Sequence, residues 1–133
     1  MKWVNFLTTL LCWLVVSCTD INSQEVGLKL PAYNYMTFNN SRLPVEQVDK
    51  LKQFLANLPK TQHKFYEKPE IILTGFKDVD SEPDFYSIFL KEGYIYQDYF
   101  LEAWNDRMQD KTSPCYKLDE KTRRFLINLE KSL

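Results

Sequence analysis

The sequence predicts an α+β domain: an antiparallel sheet, a meander of about three strands plus an N-terminal strand, packed with two amphipathic helices. Three observations carry that expectation. Val45, Val48, Leu51, Leu55 and Leu58 recur at intervals of three and four, which draws one apolar stripe on a helix. Residues 85–90 and 94–99 are strand-like arms around Lys91-Glu92-Gly93, and a Gly at the end of such a loop can take the left-handed conformation that closes a hairpin. Asp119, a favoured N-cap residue, opens a final run with Thr122, Phe125, Leu126, Leu129 and Leu133 on one side.

The remaining elements follow in chain order. Val26, Leu28 and Leu30 alternate, so residues 26–30 read as a strand that Pro31 breaks. Residues 33–38 are aromatic-rich enough for a second strand segment, and Asn39-Asn40-Ser41 supplies a turn. Pro44 suits a first helical position, where its missing N–H would have no partner anyway, and Pro59 stops the helix after residue 57. Glu46 four residues before Lys50 is a favourable exposed pair on that helix. Residues 60–69 are polar and read as a loop carrying His63, the single histidine. Ile71-Ile72-Leu73 opens a strand that Gly75 ends or bulges, and an acidic loop spans residues 78–84. Residues 98–108 fit two descriptions, because Tyr99, Ala103, Trp104 and Met108 also share a helical face. Residues 111–114 are loop, and residues 115–118 read as a short strand.

Ahead of this domain stands a different kind of sequence. Lys2 supplies one positive charge, and residues 3–16 are a run dominated by Trp, Val, Phe, Leu and Cys before a small residue, the pattern of a secretory signal. The run is short for a membrane span, which needs roughly 20 apolar residues. Val15-Val16-Ser17-Cys18 resembles the lipobox of bacterial lipoproteins. That resemblance implies cleavage between Ser17 and Cys18, a thioether-linked diacylglycerol on Cys18 and acylation of the new amine. Two or more acyl chains anchor stably where one is marginal. Thr19, rather than Asp, behind the cysteine implies sorting to the outer membrane over the inner one. Residues 1–17 are then the signal peptide, 18–25 the lipidated cysteine and a polar tether, and 26–133 one domain on the periplasmic side of the cell envelope. The alternative is simple secretion with Cys18 left as a thiol.

Removing the first 17 residues leaves 116 of the 133, a size that fits one domain. This part carries 16 Lys and Arg against 18 Asp and Glu with no basic block, so nucleic acid is not an expected partner. Cys12 leaves with the leader and Cys18 is taken by lipid, so Cys115 stands alone, a situation in which a thiol is usually buried and inert. Were Cys18 not lipidated, a Cys18–Cys115 disulfide becomes open to the chain.

Three groups of residues are candidates for chemistry. Asp78, Asp80 and Glu82 have the spacing that opens a calcium loop, but Pro83 and Phe89 stand where an EF-hand needs Gly and Glu. A solvated acidic turn and an irregular calcium site are the two readings left. Cys115 and His63 could form a distant nucleophile–base pair, the basis of a small periplasmic hydrolase or thiol enzyme. No nucleophile elbow, Gly-rich phosphate loop or His-Glu-x-x-His motif supports an enzyme, and no cofactor is expected.

The third group is aromatic: Phe85, Tyr86, Phe89, Tyr94, Tyr96, Tyr99, Phe100 and Trp104. Strand alternation puts Phe85 and Phe89 on one face and Tyr86, Ile88 and Leu90 on the other, so both faces are apolar. Either helices cover both sides, or one tyrosine-rich face is left for a partner protein. On the second reading Tyr86, Tyr94, Tyr96 and Trp104 are the contact residues, and the acidic loop steers a basic partner. The expected function is a lipid-anchored envelope domain that binds another protein as inhibitor, immunity protein or assembly accessory. A passive structural lipoprotein is a third reading.

Overall fold

A computed structural model describes residues 27–133. The leader, Cys18 and the tether lie outside the described residues. The chain runs β1 (Tyr35–Phe38), β2 (Ser41–Arg42), α1 (Val45–Leu55), β3 (Lys60–His63), β4 (Ile71–Phe76), β5 (Asp84–Phe89), β6 (Tyr94–Tyr96), α2 (Phe100–Met108), β7 (Ser113–Lys117) and α3 (Glu120–Ser132). All seven strands form one antiparallel sheet in the order β2-β1-β4-β5-β6-β7-β3. This is compatible with an α+β class, but the predicted layout is wrong. Seven strands and three helices replace the expected meander of about three strands, N-terminal strand and two helices.

The differences have physical causes. β3 pairs only with β7 and forms one edge of the sheet, so its Lys60, Thr61, Gln62 and His63 carry no apolar alternation to announce a strand. β2, at the other edge, is two residues long and has no pattern of its own. Residues 27–30 join no ladder. Gly27 and Leu28 instead donate their N–H groups to the Leu58 and Leu55 carbonyls at 2.9 Å, which buries Leu28 beside the end of α1. The ambiguous segment after residue 98 is helical, as α2.

Local chemistry fixes the connections. Asn39 and Asn40 have φ 49° and 70°, and Phe38 pairs with Ser41 across them, a two-residue hairpin loop that suits asparagine. The Asn39 side chain then accepts from the Ile72 N–H at 2.8 Å and donates to the Glu70 carbonyl at 3.1 Å, tying this turn to the start of β4. Gly93, at φ 87°, closes the β5–β6 turn, and the Glu70 carboxylate accepts from the Leu90 and Lys91 N–H groups there. Asp119 accepts from the Thr122 N–H at 2.7 Å and so caps α3. Gly75 does not end β4: it pairs with Met36 and Asp84, and the Tyr33 ring lies where its Cβ would be.

Register divides the sheet into two faces. Met36, Phe38, Ile71, Leu73, Tyr86, Ile88 and Ile95 share one, beneath α1 and α3, whose Leu51, Leu55, Leu126 and Leu129 close over them. Phe54 of α1 stacks on Phe125 of α3 with ring centres 4.5 Å apart, so the two helices form a continuous roof. The opposite face carries a smaller core of Phe65, Phe89, Tyr96, Ala103 and Cys115 under α2.

Two substitutions test this packing. Gly75→Ala should lower stability by about 1–3 kcal/mol, because a methyl group displaces the Tyr33 ring. Asp119→Ala should cost about 1 kcal/mol through the lost cap. Both are read from denaturant unfolding, and a neutral Gly75→Ala would contradict the contact with Tyr33.

Candidate functional site

The second face of the sheet is covered over one half only. There α2 packs on β7, with Ala103 buried against the sheet, and the Ser113 hydroxyl donates to Asp106 at 2.7 Å. Beside α2, the segment after β3 inserts Phe65, whose ring centre lies 4.1 Å from that of Phe89 and 5.9 Å from that of Tyr96. The Glu92 carboxylate holds this segment, meeting the His63 ring Nε2 at 2.9 Å and accepting from the Tyr66 and Glu67 N–H groups. Arg107 donates from α2 to the Phe65 and Tyr66 carbonyls at 3.1 and 2.8 Å, and Lys64 pairs with Asp110.

These contacts distribute the four predicted aromatic contact residues. Tyr86 lies on the other face from the rest, 2% exposed, its hydroxyl 2.6 Å from that of Tyr33, which donates to Asp84 at 2.7 Å. It is a core residue, and burial raises its pKa above the ordinary phenol value. Tyr96, 9% exposed, lies under Phe65, and burial, with Asp98 adding to it, pushes its pKa up to about 12. Tyr94 is half-buried and stacks on the His63 ring at 4.0 Å. Trp104 is half-buried between Phe100, at 5.0 Å, and the Arg107 guanidinium, at 5.4 Å. The four do not make one surface. The hairpin's aromatic density reflects a core on each side of the sheet.

The other candidates are placed as plainly. Asp78 accepts from the Asp80 and Ser81 N–H groups at 3.0 and 2.8 Å, a local turn that holds its carboxyl below the usual range. Asp80 and Glu82 are exposed, and among the described residues no three His, Cys, Asp or Glu side chains are grouped to hold a metal. Cys115 is 1% exposed, and burial pushes its thiol up to about 12. Its register partner on β3 is Thr61, while the His63 ring is engaged by Glu92 and Tyr94. No nucleophile–base hydrogen bond joins Cys115 and His63, so that pair is not assembled.

Among the described residues, the second half of the face, over β2, β1, β4 and the start of β5, has no helix on it. Tyr35, Thr37, Ile72, Thr74, Phe76 and Phe85 share it by register, joined by Arg42 opposite Thr37. Tyr35 is 37% exposed and stacks on Phe76 with ring centres 4.6 Å apart. The Arg42 guanidinium lies 4.6 Å above the Tyr35 ring. Phe85 meets Tyr99 edge-on at 5.5 Å, and Tyr99, 38% exposed, continues to Phe100 at 4.6 Å. Leu101 stands exposed on α2. Sequence reasoning placed Phe85 and Tyr99 in the aromatic group without choosing them as contact residues and missed Tyr35, Arg42, Ile72 and Phe76, although Ile72/Thr74/Phe76 keeps the alternation of a strand with a second apolar face.

Known proteins offer no parallel: the chain matches no family, no curated protein and no solved structure.

The buried thiol gives a test. With Cys12 and Cys18 replaced by serine, Cys115 should alkylate about a thousandfold more slowly in the native protein than in denaturant at pH 8. Because the folded thiol keeps its proton to about pH 12 while the unfolded one ionises near 9.0, the native state binds more protons between these values. Stability should therefore fall as pH rises through that window, and Cys115→Ala should remove this component. Fast native alkylation would contradict the burial and reopen the thiol reading.

Proposed function

We propose that this protein is a lipid-anchored protein of the bacterial envelope, fixed by Cys18, whose domain holds a partner protein on the helix-free half of its sheet. The observation that carries this reading is two aromatic pairs, Tyr35–Phe76 and Phe85–Tyr99, on a face whose other half is roofed, with Tyr35 and Tyr99 exposed and Phe76 and Phe85 half-buried. A sheet normally buries an apolar face, and aromatic rings left partly in water are the kind of surface that protein partners cover. Tyrosine suits it because the ring buries area while the hydroxyl stays hydrated. The sheet's edges are less inviting. β2 has two residues, and β3 is polar, opens with Lys60 and is flanked by Pro59 and Lys64, devices that discourage strand addition. The partner is therefore expected face-on. The anchor rests on the lipobox resemblance at Cys18 and supplies location, not binding.

The test is capture on the immobilised full chain from envelope extract and culture supernatant, with a Tyr35→Ser/Tyr99→Ser double variant alongside. Both side chains are more than a third exposed, so the variant should unfold at an unchanged temperature. A partner retained near equal stoichiometry by the native chain should be lost from the variant by at least about tenfold. Equal retention by both proteins would remove the proposed surface. Separately, Cys18→Ser should release the protein from membranes and abolish incorporation of labelled fatty acid. Persistence of the label would contradict anchoring at Cys18.

A further inference from the structure

Arg42 distinguishes this surface from a merely apolar one. It is exposed on β2, its guanidinium stacks on Tyr35, and among the described residues it forms no ion pair. Lys77, just after β4, is paired with Asp84 at 3.4 Å. A guanidinium over an aromatic face is held there by cation–π attraction. Its planar fork suits two parallel hydrogen bonds to one carboxylate. The aromatic surroundings exclude water when covered, which strengthens that charge-assisted pair and penalises a cation placed there.

Resting on the partner-binding reading above, we infer that the partner presents an apolar segment bearing a carboxylate, which docks its side chains on Tyr35, Phe76 and Phe85 and its carboxylate on Arg42. The occupant is thus an acidic, hydrophobic stretch of protein. In the acidic loop at residues 78–84, Asp78 is engaged by its own turn and Asp84 by Lys77 and Tyr33, while Asp80 and Glu82 are exposed. The inference rests on charge complementarity at Arg42.

The experiment is panning of a randomised peptide-display library on the full chain, in parallel with Arg42→Glu and Arg42→Lys variants. On the native chain, enriched peptides should combine aromatic or aliphatic residues with Asp or Glu. They should bind Arg42→Glu at least about tenfold more weakly and Arg42→Lys at an intermediate level, because Lys offers charge without the planar fork. The Arg42→Glu selection should turn to peptides with Lys or Arg. Apolar peptides that lack a carboxylate and bind all three proteins equally, yet are lost with Tyr35→Ser/Tyr99→Ser, would overturn the carboxylate inference and leave the docking surface intact. Peptides insensitive to both sets of substitutions would overturn both.

Discussion

Among the described residues, the seven-stranded sheet has more surface than its three short helices can cover, and this mismatch shapes residues 27–133. At the usual strand spacing the sheet is roughly 29 Å wide, while a packed helix covers about 10 Å. The helices have 11, 9 and 13 residues, two on one face and one on the other. The first face closes because α1 and α3 join through Phe54 and Phe125 and because Leu28, Leu43 and Leu58 from loops fill the margins. The second face has α2 and Phe65 over β6 and β7, and nothing comparable over β1 and β4. The aromatic surface is what remains when that roof stops.

Placing a roof on only half a face requires that the roof be held. That role falls to a few polar groups. Glu92 fixes the segment carrying Phe65 through His63 and two backbone N–H groups, and Arg107 fixes the same segment to α2 through two carbonyls. His63 and Cys115, the two residues most readily associated with catalysis, belong to this roofed half. One positions a loop and the other fills the core beneath α2. Their surroundings give each a structural task.

Much of the fold could be read from residue order. The apolar stripe of α1, the Asp119 cap, the Asn39-Asn40 turn and the Gly93 turn all rest on short-range rules that the rest of the molecule does not override. What escaped reading was decided at long range. β3 is polar because it is an edge, and only its partner β7, fifty residues later, makes it a strand. Tyr86 resembles Tyr94 and Tyr96 in sequence, but strand parity sends it to the opposite core. The partner surface was sought in the densest aromatic stretch, whereas density there serves two cores. The residues of this surface come from strands well apart in sequence, and Tyr35, Phe76 and Phe85 share a face only after β1 and β5 flank β4.

The central claim is that the helix-free half of the sheet is the binding surface. The most direct measurement is side-chain NMR of the full chain before and after addition of the captured partner. Aromatic and methyl signals of Tyr35, Ile72, Phe76, Phe85 and Tyr99 should shift or broaden, while those of Leu126, Leu129 and Ala103 stay in place. Changes confined to α1 and α3, or to the β3 edge, would contradict the account.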